Sequence, residues 1–367
     1  MKYKKVLVVS NMYPSSKFPS YGVFVKNFCE QLGQIGVNYR VSALTKTQNK
    51  ILRILKYLWF YLRTFFRCWL GGYDLVYIHY PSFSAVPVNA AHRLRKFGVI
   101  ANVHGTDVVP LKAEHEKMMK NTDKAIANSS LVVVPSEYFK LLVAEKYGLE
   151  SERVFVYPSA GVNEEIFYPY DADRKADLRR EYGVEDDTAV IGFVSRINKA
   201  KGWDVFLDAL KKSSALRNKK LKLFIVGSGE DDEALAEKIK ELPENLRDAV
   251  IRYPLLEQRK LAEIYNLINV FVFPTVSASE SLGLVAVEAM ACGTPVIASD
   301  FAAPAYYVID GGNGYKFEKG NSDALAAKTD EFFTLSEDEG AKLIKGALET
   351  GRSYYRRQIT EKLRSIF

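Results

Sequence analysis

Two glutamates, Glu280 and Glu288, stand eight positions apart in ASESLGLVAVEAMACGTPVIASD, on either side of the entrance to an apolar helical run. A carboxylate in such surroundings costs on the order of several kcal/mol unless a ligand hydroxyl or an Arg/Lys partner meets it. Further upstream, GFVSRINKAKGWDVF places Arg196 and Lys201 in the turn between a strand pattern ending at Ser195 and a helical pattern opening at Trp203. A guanidinium fork and an ammonium at a strand's carboxyl end can neutralise the negative charge that grows on a departing diphosphate. Basic residues are common in such turns, so R-x4-KG alone is weak. Gly283 starts the helical run and Gly293-Thr294-Pro295 stops it. The amides around Ser281, Leu282, Gly283 and Leu284 would then offer free donors and a positive dipole end to phosphate.

The glycines at Gly227 and Gly229, after LKLFIVG, read either as a tight strand-to-helix turn or as backbone brought close to a ligand. NVHGTD ends a strand pattern with His104, followed by Gly105 and Asp107. A lone strand-end histidine is more often structural, and His79 in YIHYP reads that way; His92 and His115 sit in charged helical patterns and carry no site. The chain has no evident Ser/His/Asp or Cys/His set and no DxD-type metal motif in these segments, so neither an obligatory metal nor another cofactor is expected.

These residues need a frame that gathers strand ends. From residue 185 onward, AVIGFVS, LKLFIVG, VFVFP and PVIAS alternate with helical patterns at βαβ spacing. KVLVVSN, YRVSALT, DLVYIHY, VIANVHG, LVVVPS and RVFVYPS behave alike in the first half. The expected class is α/β, with two Rossmann-like doubly wound parallel sheets and ligands beyond the carboxyl ends of their strands. The Pro- and charge-rich stretch SAGVNEEIFYPYDADRKADLRREYG puts the boundary near residue 168, giving domains 1–168 and 169–350.

A chain of 367 residues, 48% hydrophobic and 26% charged, has room for two such cores and no low-complexity tract. Its three cysteines, Cys29, Cys68 and Cys292, lack metal spacing and sit in apolar company, as in a reducing compartment. The apolar run after MKYKK is too short for a signal peptide, so a cytoplasmic protein is expected. Residues 1–160 hold 22 Lys and Arg against 10 Asp and Glu, and the remainder 29 against 34. The basic half implies an anionic partner: nucleic acid, an acidic membrane surface or a phosphorylated substrate.

ILRILKYLWFYLRTFFRCWL, residues 51–70, is long and apolar but not a membrane span. At 100° per residue, Arg53, Lys56, Arg63 and Arg67 fall within an arc of about 80°, while leucines, Trp59, Trp69 and phenylalanines fill much of the rest. One reading is a monotopic helix lying in the headgroup region of an anionic inner leaflet, with its tryptophans at the interface. The other is a helix that covers the first sheet.

Together, Glu280-x7-Glu288, Arg196 and Lys201-Gly202 resemble the donor site of the retaining GT-B glycosyltransferases of family four (group 1), of the bacterial capsule or lipopolysaccharide type. The resemblance implies Glu280 near the hexose, Glu288 on the ribose, Arg196 and Lys201 on the diphosphate, and Gly227 with residues 281–284 completing the cradle. SNMYPSSKFPSYGVFVKNFCEQL resembles the family's N-terminal loop and first helix, which implies close backbone approach at Gly22. NVHGTD matches its His-Gly motif, which implies His104 beside the transferred sugar. Tyr13, Tyr21 and Asp107 are the candidate acceptor contacts, and residues 351–367 resemble the C-terminal helix that returns to the N-terminal, acceptor-binding domain. Two departures stand out: FAAPAYYVIDGGNG lacks the Gly-Gly and Glu usual after its strand, and Ser159-Ala160-Gly161 replaces part of Pro-Asn-Gly-Val-Asp.

What the resemblance implies is retaining transfer of a hexose from a nucleotide diphosphate sugar, uridine favoured over guanosine. With the basic half and residues 51–70, the expected acceptor is a glycan on a polyprenyl diphosphate, and the expected partners include an anionic membrane surface but no nucleic acid. A nucleotide-sugar epimerase shares the fold and would turn over sugar without acceptor. A phosphorylase would need a cofactor lysine motif that is not evident. A non-catalytic binder of anionic ligands or nucleic acid would explain the charge, but the basic residues cluster with an apolar helix instead of an exposed aromatic platform.

Overall fold

The apolar, β-branched runs become two six-stranded, wholly parallel sheets in a computed structural model that describes residues 3–217 and 219–367. The chain divides into two compact units, residues 1–161 with 356–367, and residues 162–355. In the first, β1 (Val6–Tyr13), α1 (Val23–Gln34), β2 (Tyr39–Thr45), α2 (Lys50–Leu70), β3 (Leu75–His79), α3 (Pro81–Leu94), β4 (Gly98–Asn102), α4 (Ala113–Asn128), β5 (Leu131–Val134), α5 (Glu137–Tyr147) and β6 (Val154–Val156) alternate. Their strands lie in the order β2-β1-β3-β4-β5-β6, which reverses direction between β1 and β3.

The second unit follows with α6 (Ala172–Glu181), β7 (Ala189–Val194), α7 (Trp203–Lys212), β8 (Leu221–Val226), α8 (Asp232–Lys240), α9 (Glu244–Asp248), β9 (Val250–Tyr253) and α10 (Gln258–Leu267). It ends with β10 (Val270–Phe273), α11 (Leu284–Ala291), β11 (Val296–Ser299), α12 (Pro304–Tyr307), β12 (Gly314–Phe317), α13 (Ser322–Phe333) and α14 (Glu337–Ser353). Its order, β12-β11-β10-β7-β8-β9, reverses between β7 and β10. In open sheets of this kind the crevice beyond the strand ends at such a reversal is where ligands bind. Both edge strands, β9 and β12, escape the sequence reading because each is four residues long and carries a cation, Arg252 or Lys316, in place of an unbroken apolar run.

Residues 162–170 belong to the second unit, ahead of the expected boundary near 168. The Val162 amide donates to Tyr354 O (2.8 Å), the Phe167 ring packs on Tyr265, and the Tyr170 amide donates to Asn266 Oδ1 (2.8 Å). Residues 351–355 stay there too, because Gly351 lies against the Met290–Ala291 backbone with no space for a side chain. Only from Arg356 does the chain join the first unit, where α15 (Arg356–Leu363) buries Ile359 and Leu363 beside α1.

α2 corrects the expected cationic face. Phe60, Thr64 and Cys68 point inward and are buried. Arg63 donates to Ala43 O (2.8 Å), Arg67 to Val41 O (2.9 Å), and Lys56 to Thr45 Oγ1 (3.1 Å). These cations pave the open edge of β2, whose outer carbonyls have no neighbouring strand to accept from. The apolar side is what faces solvent: Ile51, Ile54, Trp59 and Leu70 are each more than 60% exposed. Among the described residues no helix is long and apolar enough to cross a membrane. All three cysteines are buried and free.

Candidate functional site

In the second unit the turns after β7 and β10 flank the reversal point, and a glycine joins them. Gly202, at φ 70°, precedes α7; a Cβ there would lie 1.9 Å from Pro274 O, so only glycine lets one turn press on the other. The Val276 amide then donates to Ala200 O (3.0 Å), and the Thr275 hydroxyl lies 3.2 Å from the same oxygen and 3.1 Å from Glu280 Oε2.

This clamp brings together two residues predicted separately. Lys201 Nζ is 2.5 Å from Glu280 Oε2, across 79 residues of sequence. The Glu280 side chain is 7% exposed and that of Lys201 24%, so the carboxylate is compensated chiefly by one ammonium and one hydroxyl. Arg196, at the mouth of the same turn, is exposed and makes no ion pair among the described residues. Ser281 and Leu282 lead into Gly283, at φ 78°, which N-caps α11; a Cβ there would meet the Phe273 ring at 2.5 Å. At the start of α11 the Ala286 amide donates to Gly283 O (2.9 Å), and the amides of Leu284 and Val285 before it precede the first intrahelical acceptor.

Glu288 differs from Glu280. No Arg or Lys meets it among the described residues, contrary to one of the two partners expected for it, and burial pushes its carboxyl up to about 8. It is thus largely protonated at neutral pH, next to Tyr265 and Cys292. Four buried polar atoms of this unit, Asn198 Oδ1, Tyr265 Oη, Ser299 Oγ and Tyr307 Oη, have no hydrogen-bond partner. Sequence reasoning missed Thr275 and Tyr307, whose only signal is a position shortly after a strand. Gly227 takes the plainer of its two readings: at φ 130° its Cβ would fall 1.8 Å from Ser195 O, so backbone packing accounts for the glycine.

In the first unit the strand ends carry a neutral cluster. His79, at the end of β3, is buried, and its Nδ1 lies 3.1 Å from His104 Nε2 and 3.3 Å from the Asn102 amide nitrogen. Burial lowers the His104 imidazole to about 3 and lowers that of His79 also, so both rings are uncharged at neutral pH. The Asn102 amide nitrogen can only donate, which favours the lone pair on His79 Nδ1 and the His104 proton on Nε2 and leaves the buried His79 Nε2–H without a partner. His104 Nδ1 is left as an acceptor. His79, read as structural from sequence, therefore sets the state of His104.

Asp107 is a correction. It is fully buried, and its carboxylate accepts from the His104 amide (2.9 and 3.0 Å) and the Gly105 amide (2.8 Å). It shapes the His104 turn instead of facing an acceptor; burial pushes it up to about 6 against those hydrogen bonds. Tyr13, half-buried at the carboxyl end of β1, packs at the edge of the α1-side core near Cys29 and Tyr39. Tyr21 stays at the strand ends, its hydroxyl 3.5 Å from Asn11 O and Lys46 Nζ 5.7 Å from its ring centre. Tyr80, left-handed at φ 53°, bonds Thr106 there (2.5 Å), and Asn11 bonds Ser84 and Tyr57. Gly22, at φ 74°, would strike Met12 C at 2.6 Å if it carried a Cβ, which explains it by the approach of α1 to β1.

The two departures from the resembling pattern fall on unusual backbone. Ser159 (φ 48°) and Ala160 (φ 73°) precede Gly161 (φ 74°), and Ala302 (φ 52°) lies in the loop after β11. The left-handed turns persist where glycine or asparagine would adopt them at less cost.

Comparison with known proteins adds three findings. Residues 174–349 match the family model "Glycosyl transferases group 1", and residues 5–162 match "Glycosyltransferase Family 4". Curated relatives include the D-inositol 3-phosphate glycosyltransferases of Xylanimonas cellulosilytica, 29% identical over 77% of this chain and 69% of that protein, and Geodermatophilus obscurus, 34% identical over 68% and 56%. The chain thus spans from just over half to about two thirds of their length. Among solved structures, Anabaena Alr3699/HepE in complex with UDP and glucose aligns over 99% of both chains (TM-score 0.75, 19% identity). The sucrose-phosphate synthase of Thermosynechococcus elongatus aligns over 99% of this chain and 97% of its own (TM-score 0.76, 20% identity). The shared fold is GT-B.

Proposed function

We propose, from the premise that the chain belongs to the group 1, family 4 glycosyltransferases, that it moves a hexose from a nucleotide diphosphate sugar, UDP-sugar favoured, to a glycan acceptor with retention of configuration. The observation that carries this reading is the Lys201–Glu280 pair, closed by the Gly202–Pro274 contact at the reversal point of the second sheet. It sets an ammonium, a carboxylate and the start of α11 beside one another, which suits a phosphorylated sugar. Arg196, unpaired, and Lys201 neutralise the leaving diphosphate, with the residue 281–284 amides as further donors. Glu280 accepts from hexose hydroxyls, and Glu288 from the ribose.

In the step itself the bond between the sugar's anomeric carbon and the diphosphate oxygen breaks, the acceptor oxygen bonds that carbon from the same face, and the acceptor proton passes to the leaving diphosphate. The protein supplies position and charge neutralisation, with no covalent nucleophile. His104 Nδ1 accepts a sugar hydroxyl, and its neutral ring holds no charge to repel a developing cation. No metal has a role in this reading, and undiminished turnover in EDTA is the expected outcome.

The first unit is assigned the acceptor, a lipid-linked glycan of a surface-polysaccharide pathway at the inner membrane face, in keeping with its basic excess and α2. A phosphorylated cyclitol is the second reading, favoured by the relatives named for D-inositol 3-phosphate. A nucleotide-release assay over a panel of UDP- and GDP-sugars, with each acceptor class added in turn, tests both. Release that requires an acceptor, with an NMR-detected product of unchanged anomeric configuration, is expected. Conversion of the donor to an isomer without acceptor overturns the transferase reading in favour of an epimerase, and undiminished release by Lys201→Ala overturns the diphosphate assignment.

A further inference from the structure

Ten of the nineteen large apolar side chains that stand exposed among the described residues lie on α2. Counted from Arg53 at 100° per residue, they run from Ile54 to Leu52 and Leu70, an arc of about 160° that contains no charge. The buried residues Phe60, Thr64 and Cys68 occupy the opposite side, and Lys56, Arg63 and Arg67 lie between the two, bonded to the β2 edge. An uncharged arc of this size on a water-facing helix is an unpartnered surface.

Its surroundings say what covers it. No Asp or Glu occurs in α2, so Arg63 and Arg67 meet carbonyls and no carboxylate. Between them and Trp59, Leu62, Phe66 and Leu70 lies a groove of about 490 Å³. Lys50 and Arg53 stand exposed at the helix start. A second copy of α2 would bring arginine against arginine, whereas a surface with an apolar interior and an anionic rim complements both parts. Trp59, near one edge of the arc, suits the boundary between the two.

We infer that the outer face of α2 seats in the interfacial layer of an anionic phospholipid bilayer, apolar arc first, with Arg63 and Arg67 at headgroup phosphates beside the groove. This deepens the membrane part of the function proposed above and rests on that reading only for the acceptor it would reach. The helix enters by its leucines and tryptophans, and Lys56, Arg63 and Arg67, bonded to the β2 edge, follow. Binding should therefore resist salt, since apolar burial is not screened.

The test is flotation of the intact chain, without nucleotide, on vesicles of phosphatidylcholine with about one third phosphatidylglycerol. Trp59 and Trp69 are two of three tryptophans and Trp203 is buried in the other unit, so emission should shift to the blue on binding and be quenched by brominated acyl chains. Leu62→Ser with Phe66→Ser should cut partitioning at least tenfold, while donor turnover on a water-soluble acceptor stays unchanged. Lys50→Glu with Arg53→Glu should lower partitioning less and steepen no salt response. Three results overturn the proposal: no flotation, binding abolished by moderate salt with unshifted tryptophan emission, or concentration-dependent dimerisation that the serine pair removes. Because vesicle binding and soluble turnover are read separately, loss of one leaves the other standing.

Discussion

The two sheets carry their strand-end clusters at corresponding places, with opposite electrostatics. Beyond β7 and β10, Lys201, Glu280 and Arg196 put formal charges beside the start of α11, and two of the three are paired before any ligand arrives. Beyond β3 and β4, His79, His104 and Asn102 make one set of neutral hydrogen bonds and Tyr80 with Thr106 another. One fold thus carries a charged cluster and a neutral one, and the difference lies in which side chains follow the strands.

Removing the charged cluster should have the largest effect. Lys201→Ala leaves Glu280 buried without its cation, so turnover should fall about 10²–10³-fold and unit stability by about 1–3 kcal/mol. Lys201→Met with Glu280→Gln should restore the melting temperature without restoring turnover; recovery of both would mean that the pair only holds the fold. Arg196→Ala should lower kcat/KM by about 10²-fold with melting unchanged, since the side chain is exposed and unpaired; a drop in melting alone would remove Arg196 from the site.

The neutral cluster should respond less. His79→Phe takes away the acceptor for the His104 proton, and kcat should fall about tenfold with KM for the donor little changed. His79→Asn should recover part of the loss through its side-chain oxygen. Equal activity in all three proteins would sever His79 from His104.

Stability against pH should separate His104 from Glu288 by sign. His104 has a folded value of about 3, below the unfolded value of 6.5, so its contribution is present above pH 6.5 and is lost as pH falls below it. Glu288 is raised from 4.5 to about 8, so its contribution is greatest below pH 4.5 and is lost as pH rises towards 8. Thermal melts should show that His104→Asn flattens the acid limb. Glu288→Gln should raise melting at pH 8 by roughly 2–4 °C, or about 1 kcal/mol, and weaken UDP binding in calorimetry. An unshifted melt with normal UDP affinity would assign Glu288 to packing. The smallest effect is expected at the unit boundary, where Ser159→Asn, better suited to φ 48°, should gain about 0.5–1 kcal/mol.

Nine of the ten strands that were legible carry an apolar run of three residues or more, β2 (YRVSALT) being the exception, and α2 and α11 were legible from their periodicity and end signals. The site residues were legible where a charge stood directly after such a run, as at Arg196 and Lys201. Tyr307, Thr275 and His79 were not, because a hydroxyl or imidazole near a strand end looks ordinary until its partner is known. Asp107 misled for the same reason: its acid sits in a promising motif, and only the fold shows that the His104 and Gly105 amides consume it.

The sequence by itself determined the parallel α/β class, the two-unit division and the positions where charge follows a strand, because periodicity and turn chemistry act over neighbouring residues. The tertiary structure decided what those charges meet. Lys201 and Glu280 are far apart in sequence and pair only because β7 and β10 are neighbours. The α2 arginines, which periodicity assigns to a water-facing stripe, turn to β2 because an edge strand leaves carbonyls that only the folded sheet exposes.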